Sequence, residues 1–228
     1  MSLWIKICGN TSLEDALLAA EAGADAVGFV LAPSPRRVTA AQVAAIVPHL
    51  PATLEKIGVF VDAPFEEIEA TVRAAALSGV QLHFNAAPDL PARLRERFGP
   101  ALQILRVIHF GAESAAEAEA IVQDPNVNAV MVDSRTVTAV GGTGQSFDWA
   151  LASKTLFQNA KDRDHIVAAG GLSPENVAEA IATLRPWGID VVSGVEVAPG
   201  RKDAAKVRAF IANACAADRS QPAVSPLS

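Results

Sequence analysis

Apolar runs of strand length alternate with longer amphipathic stretches along most of the chain. The short runs are rich in Val, Ile and Ala and end at turn residues, which predicts buried β-strands. The longer stretches carry apolar residues at helical spacing and predict α-helices. The predicted strands are residues 3–7, 26–31, 56–61, 79–82, 102–108, 129–132, 165–168 and 190–193. The predicted helices that follow them are residues 13–22, 40–50, 64–77, 89–98, 114–123, 148–157, 174–184 and 204–213.

Helix start signals and short links support this alternation. Residues that can cap a helix N-terminus precede four of the predicted helices, because their side chains accept hydrogen bonds from first-turn amides. These expected N-caps are Ser12, Thr39, Ser173 and Asp203. The first helix ends at Gly23 and the next strand begins almost at once. Such short helix-to-strand links are typical of a parallel sheet.

Eight strand–helix units within about 210 residues predict a single α/β domain, a (β/α)8 or TIM barrel near the small end of that fold's size range. An open, doubly wound sheet remains the alternative, because a strand count does not show closure. The barrel is expected over residues 1–215. From Ala216 onward Ser and Pro replace the periodic pattern, so residues 216–228 are expected to form a disordered C-terminal tail.

Composition excludes several classes of partner. The chain has 228 residues, half of them hydrophobic, and a net charge of −6, which argues against a nucleic-acid partner. No apolar run approaches the ~20 residues of a membrane helix, and no signal-peptide pattern is seen. Cys8 and Cys215 lack disulfide or zinc spacing, and the four His show no ligand-like pairing, so no metal is expected. We expect a cytoplasmic protein without a membrane partner.

Small residues follow three late strands, where a parallel barrel forms its active site. Gly142 and Gly144 lie in GGTG after the sixth strand, Gly170 and Gly171 follow the seventh, and Ser193 and Gly194 begin SGVE after the eighth. Loops of this kind let backbone amides approach a phosphate closely. Ordinary turn chemistry explains any one of them. Three such loops on neighbouring strands favour a phosphate site.

Three side chains that can take part in chemistry also stand after strands. Cys8 follows the first, Arg36 lies in the loop after the second, and Asp133 follows the sixth. A thiol can act as a base where positive charge favours its thiolate, and a carboxylic acid in a partly apolar pocket can donate a proton. The Arg36 fork matches a carboxylate. Each residue also has a plain structural interpretation, as a buried filler, a loop cap and a solvated cation.

The segments KICGN, EDALLAAEAGADAVGFV, SPR, QLH, GGTGQSFDW, AGGLSPENVAEAI, DVVSGVE and PGRKDAAKVRAFI occur in this order. Together, from about residue 3 to residue 212, they resemble the phosphoribosylanthranilate isomerase family of tryptophan biosynthesis. The resemblance implies a (β/α)8 barrel and an Amadori rearrangement of N-(5′-phosphoribosyl)anthranilate. The set is far more specific than any single glycine motif.

By this resemblance Cys8 is the general base, Asp133 the general acid, and Arg36 the partner of the anthranilate carboxylate. The late-strand group Gly142, Gly144, Gly170, Gly171, Ser193 and Gly194 is expected to bind the substrate phosphate. The family implies no metal and no cofactor, a phosphorylated small molecule as partner, and either a monomer or a homodimer.

The chain departs from the family pattern in four ways, and other functions remain as alternatives. After the fourth strand Phe84 replaces a Gly, and the acidic residue usual near Asn85 is missing. Val192 replaces a Ser, and Asn10 stands where an apolar residue is frequent. His83 is interpreted as structural and Asp190 as a cap or surface group. The alternatives are the related phosphoribosyl isomerisation of histidine biosynthesis, which has Asp at the position of Cys8, a sugar-phosphate epimerase, and a catalytically silent barrel.

Overall fold

The computed structural model describes residues 3–83, 86–109, 114–133, 149–157 and 166–220. Eight parallel strands pair in chain order and close into a barrel, because β1 also pairs with β8. The predicted barrel is therefore confirmed and the open sheet is excluded. The strands are β1 Trp4–Ile7, β2 Ala26–Val30, β3 Glu55–Val61, β4 Gly79–His83, β5 Gln103–His109, β6 Ala129–Asp133, β7 Ile166–Ala169 and β8 Gly188–Val191.

Helices follow each strand and pack on the outside of the barrel. No helix within the described residues is long and apolar enough to cross a membrane. The helices are α1 Leu13–Ala22, α2 Ala40–Ile46, α3 Phe65–Ala74, α4 Leu90–Phe98, α5 Ser114–Val122, α6 Trp149–Ala152, α7 Val177–Leu184 and α8 Ala204–Arg219. A 3-10 turn at Val47–His49 continues α2, and a π-helical turn at Ser153–Phe157 continues α6.

Three of the four expected caps are confirmed. The side chains of Ser12, Thr39 and Asp203 accept hydrogen bonds from first-turn amides of α1, α2 and α8. Ser173 is not the cap of α7, whose N-cap is Asn176. The Asn176 side chain instead accepts a hydrogen bond from the Ser173 amide, so the segment 173–176 forms a turn before the helix begins.

Two apolar cores follow from the alternation of side chains along each strand. Outward-facing residues pack against the helices in one large cluster. Inward-facing residues fill the barrel, and this inner cluster is Trp4, Ala26, Ile57, Leu105, Val107, Ala129, Met131, Val167 and Ala169. Trp4 stacks on Trp187 with ring centroids 5.3 Å apart and closes the N-terminal end of the barrel. The opposite, C-terminal end is left for a site.

A short antiparallel hairpin follows β8. Its strands are β9 Glu196–Ala198 and β10 Arg201–Lys202, joined by a turn in which Gly200 adopts a φ of 79°. The Thr11 hydroxyl donates to the Gly200 carbonyl over 2.6 Å. The hairpin is therefore held beside the loop that follows β1.

Two boundaries differ from those predicted. Strand β8 begins at Gly188 rather than at Asp190, because pairing with β1 and β7 recruits residues that look like a loop in the sequence. Helix α8 runs to Arg219, so the expected domain end at residue 215 falls inside it. Its last turns are Ala-rich, and the Asp218 carboxylate accepts the Leu3 amide over 3.2 Å. Residues 221–228, the rest of the expected tail, lie outside the described residues.

Candidate active site

A cavity of about 460 Å³ opens at the C-terminal end of the barrel. Strand ends and loops from both halves of the sheet line it, as expected for this fold. Six of the sequence-predicted site residues lie on this one cavity, namely Cys8, Arg36, Asp133, Gly170, Gly171 and Ser193. Gly142 and Gly144 lie outside the described residues, and so do Phe84 and Asn85.

Cys8 is fixed at the edge of the cavity by the end of β1. Its amide donates to the Val191 carbonyl over 2.9 Å, and the residue is 3% exposed. Gly28 on β2 makes room for the thiol, since a Cβ there would lie 2.5 Å from the Cys8 sulfur. The buried Asn10 side chain donates to the Ile7 carbonyl over 2.8 Å. Asn10, one of the departures from the family pattern, therefore helps to hold the backbone next to Cys8 in place.

A row of hydrogen-bonded polar side chains lies below Cys8 inside the barrel. The Lys6 ammonium donates to Asp190 Oδ1 over 2.6 Å and to Gln81 Oε1 over 2.8 Å. Because Gln81 accepts through its oxygen, its amide nitrogen is the donor to His83 Nε2 at 2.9 Å. His83 therefore presents a ring nitrogen that accepts. Both Gln81 and His83 line the cavity.

The protonation states of these side chains follow from burial and from the neighbouring charges. Burial is the largest influence on Lys6 and lowers its pKa, but Asp190 and Cys8 together outweigh it and raise the pKa. Burial raises the pKa of the Cys8 thiol, and Asp190 adds to that effect. Lys6 and Lys202 oppose the rise without cancelling it. At rest Cys8 is a thiol beside an ammonium ion.

Asp133 is the last residue of β6 and lines the cavity. The residue as a whole is 4% exposed. Two strands, β7 and β8, separate β6 from β1 around the closed barrel. Asp133 and Cys8 therefore approach the same cavity from different walls. A ligand between them can be contacted from two sides.

Arg36 is held by a carboxylate of the β9–β10 hairpin. Its Nε donates to Glu196 Oε1 over 2.8 Å, and its Nη2 donates to Glu196 Oε2 over 2.6 Å. Burial raises the pKa of Glu196, but Arg36, Lys202 and the Gly200 amide outweigh it and lower that pKa. No hydrogen bond of Nη1 is found among the residues described.

Lys202 links the Arg36–Glu196 pair to the side of the cavity that holds Cys8. Its Nζ donates to the Cys8 carbonyl over 2.5 Å and to the Val192 carbonyl over 3.2 Å. It also lies 3.3 Å from Glu196 Oε1. Val192 lines the cavity where the family pattern has a Ser, so an apolar side chain stands there in place of a hydroxyl group. The Val192 carbonyl accepts the hydrogen bond from Lys202.

The loops after β7 and β8 lie next to each other, and three of their glycines have conformational or steric reasons to be glycine. Gly170 and Gly171 both adopt positive φ, of 86° and 66°, which disfavours other residues. Gly194 is required by close packing, because a Cβ there would lie 2.0 Å from the Leu172 carbonyl oxygen. Gly194 does not itself line the cavity, whereas Ser193 does. The loops after β7 and β8 thus lie side by side at the cavity mouth.

Sequence reasoning missed five buried polar residues around this cavity. Asp190 is no surface cap, since it is 5% exposed and paired with Lys6. The available signal was a charged or amide residue inside an otherwise apolar strand, which must face a partner when it is buried. The missed residues are Lys6, Gln81, Asp190, Glu196 and Lys202. Within the described part of the chain no cluster of His, Cys, Asp and Glu could hold a metal ion.

Comparison with known proteins gives consistent matches. The family described as N-(5'phosphoribosyl)anthranilate (PRA) isomerase matches residues 5–213. The N-(5'-phosphoribosyl)anthranilate isomerase of Pelobacter propionicus is 43% identical over 208 residues, which span 91% of this chain and 93% of that protein.

Solved structures agree with these matches. A phosphoribosyl anthranilate isomerase in complex with reduced 1-(o-carboxyphenylamino)-1-deoxyribulose 5-phosphate has a TM-score of 0.77 at 33% identity, covering 93% of this chain and 98% of that one. Monomers generated from the dimeric isomerase of Thermotoga maritima have a TM-score of 0.75 at 34% identity, with coverage of 93% and 98%.

Proposed function

The chain belongs to the N-(5′-phosphoribosyl)anthranilate isomerase family, and from this premise we propose how its barrel carries out the reaction. The reaction is the Amadori rearrangement of N-(5′-phosphoribosyl)anthranilate to 1-(2-carboxyphenylamino)-1-deoxyribulose 5-phosphate in tryptophan biosynthesis. Cys8 acts as the general base and Asp133 as the general acid. The observation that supports this division is the shared cavity, which the two side chains enter from different walls.

The two roles match the two proton transfers of the rearrangement. Asp133 donates a proton to the furanose ring oxygen, the bond from that oxygen to C1′ breaks, and an iminium forms between C1′ and the nitrogen. The Cys8 thiolate then removes the proton from C2′, and the released electron pair neutralises the iminium as an enolamine. Protonation of C1′ and loss of the C2′ hydroxyl proton give the ketone. Acid and base act at different atoms of one sugar, which requires them on different sides of it.

We propose that no cofactor or metal takes part, because the substrate's own iminium accepts the electron pair that a cofactor would otherwise hold. The work left to the protein is positioning and proton transfer. The raised pKa of Cys8 means that the thiolate is a minor form in the free enzyme near neutral pH. A base of this kind is strong once formed, and it needs a nearby positive charge.

Substrate contacts are assigned by chemistry. The Nη1 edge of Arg36, left by Glu196, binds the anthranilate carboxylate. Backbone amides around Gly170, Gly171, Ser193 and Gly194 bind the phosphate, and Gly142 and Gly144 are proposed to complete that cradle from the loop after β6. The positive φ values of Gly170 and Gly171 and the close packing at Gly194 support the phosphate contacts of the loops after β7 and β8.

The test is loss of anthranilate fluorescence when purified protein meets freshly made phosphoribosylanthranilate. Wild-type protein is expected to turn the substrate over rapidly. Cys8→Ala and Asp133→Asn are expected to bind it while losing turnover by at least about 100-fold, the lower range for a positioned acid or base. Normal turnover by either variant would refute its assigned role.

The wider setting is also a proposal. We place the protein in the cytoplasm, because Cys8 and Cys215 are free cysteines, as is usual in a reducing compartment. It is a monomer or a homodimer with a phosphorylated small molecule as substrate and with no nucleic-acid partner. The net charge of −6 supports the last point.

A further inference from the structure

A fully buried lysine inside a TIM barrel requires an explanation. Barrel interiors are normally filled by branched apolar side chains. Lys6 is 0% exposed and is among the largest fully buried side chains of the described chain. A buried ion pair such as Lys6–Asp190 is weak evidence for stability, because desolvation offsets the attraction and apolar replacements are often neutral or stabilising. We therefore expect the buried Lys6 to serve the reaction.

The position of Lys6 connects it to the reactive thiol. Lys6 stands two residues before Cys8, so both side chains leave the same face of the chain at the end of β1. An ammonium group has three N–H donors. Asp190 and Gln81 accept two of them, at 2.6 and 2.8 Å, and Cys8 is the next residue along the chain on the same face as Lys6.

The ammonium is also held rigidly across the barrel. Asp190 is the direct neighbour of Lys6 on β8 in the strand register, while Gln81 reaches it from β4 on another part of the wall. Lys202, the other lysine near Cys8, donates to the backbone carbonyls of Cys8 and Val192 instead. Lys6 is therefore the lysine whose side chain leaves the same face of the chain as the Cys8 thiol.

We propose that Lys6 is a positioning residue for catalysis: its ammonium, fixed by Asp190 and Gln81, stabilises the Cys8 thiolate that removes the substrate proton. The proposal rests on Cys8 being the general base. Lys6 acts through the thiol and does not touch the substrate, because it lies beneath the residues that line the cavity.

The ion pair provides a signature that a structural role lacks. Lys6 favours the thiolate, whereas the Asp190 carboxylate disfavours it, so removing the two partners has opposite effects on the same sulfur. Loss of a merely structural pair would change the thiol in the same way from either side. Other charged or titratable groups around Cys8 remain in every variant, namely Lys202, Arg36, Glu196, His83, His109 and Asp133.

The experiment measures the thiol directly. Cys8 and Cys215 are the two cysteines of the chain, so a Cys215→Ala background leaves Cys8 as the sole thiol. Neutral iodoacetamide is reacted with the folded protein across neutral to alkaline pH. Lys6→Met is expected to move the rate profile to higher pH and to slow alkylation near neutral pH by roughly tenfold or more, as for loss of an opposite charge within about 4–6 Å. Asp190→Asn is expected to move the profile to lower pH.

Two comparisons keep the test decisive. Lys56→Met removes another buried lysine, whose Nζ donates to the Pro51 carbonyl over 2.7 Å at the far end of β3, and it is expected to leave the profile unchanged. If Lys6→Met does not fold, Lys6→Met/Asp190→Asn is compared with Asp190→Asn, which isolates the ammonium charge. Shifts in the same direction for Lys6→Met and Asp190→Asn, or none, would overturn the proposal.

Failure of the proposed function would look different. In that case Cys8→Ala would retain turnover, while the alkylation profiles would still report the effect of Lys6 on the thiol. If both proposals hold, turnover of Lys6→Met falls and recovers as the pH is raised towards its shifted profile.

Discussion

Replacing Gly28 by Ala tests whether the exact placement of the Cys8 sulfur matters. A Cβ at residue 28 would lie 2.5 Å from the sulfur and 3.1 Å from both the Cα and the Cβ of Cys8. Ordinary contacts are about 3.5–4.0 Å, so the sulfur must move by about 1 Å. A shift of this size can cost about 100-fold in rate, which corresponds to about 2.7 kcal/mol of barrier.

The assay is kcat for phosphoribosylanthranilate, read beside the free energy of unfolding. Overpacking alone is expected to cost about 1–3 kcal/mol of stability. Gly79→Ala is the matched control, because a Cβ there would lie 2.5 Å from Ile57 Cδ1 and 2.9 Å from Gln103 Cβ, at the N-terminal end of β4. Both variants should lose stability, and Gly28→Ala alone should lose turnover. Equal kcat values for the two would refute the reasoning.

Three further predictions concern Arg36, Cys8 and the end of α8. Glu196→Gln weakens the two hydrogen bonds that hold Arg36 and is expected to raise KM about tenfold, the effect of losing one charged hydrogen bond, with a smaller change in kcat. Steady-state kinetics measure both constants. A loss confined to kcat would contradict the assignment of Arg36 to substrate binding. The folded-state pKa of Cys8 is raised, so its contribution to stability is complete below the ordinary thiol pKa of about 8.5 and is lost as pH rises beyond it. Urea unfolding should therefore show a steeper alkaline decline for wild type than for Cys8→Ser, and parallel curves would count against the buried thiol. Truncation after Cys215 should lower Tm more than truncation after Ser220, because it removes the Asp218–Leu3 hydrogen bond and the last turns of α8; equal Tm values would show that these turns add nothing.

The barrel could be predicted because each of its units is written locally in the sequence. Helix α1 was predicted at its observed bounds, since Ser12 and Gly23 mark its two ends. Strand β8 was not, because Gly188 and Ile189 become strand residues only through pairing with β1 across the closure. Closure is a long-range property that no local pattern contains.

The site divides in the same way. Cys8 and Asp133 could be found because the fold rule draws attention to residues at strand ends. The Lys6–Asp190 pair and the Arg36–Glu196 pair join residues 184 and 160 positions apart, and a sequence alone does not reveal such partners. The spacing of inward-facing residues indicates that Lys6 points into the barrel, but its neighbours become known only from the three-dimensional arrangement.

The central claim is that the Cys8 thiolate removes a proton from one side of the sugar and the Asp133 carboxyl group donates a proton on another side. It is tested most directly by a crystal structure of this protein with reduced 1-(o-carboxyphenylamino)-1-deoxyribulose 5-phosphate. We predict the Cys8 sulfur within about 3.5 Å of the second sugar carbon, and an Asp133 oxygen about 2.6–3.2 Å from the hydroxyl that was the ring oxygen. A bound analogue whose second carbon faces away from Cys8, or whose former ring oxygen is out of reach of Asp133, would contradict the claim.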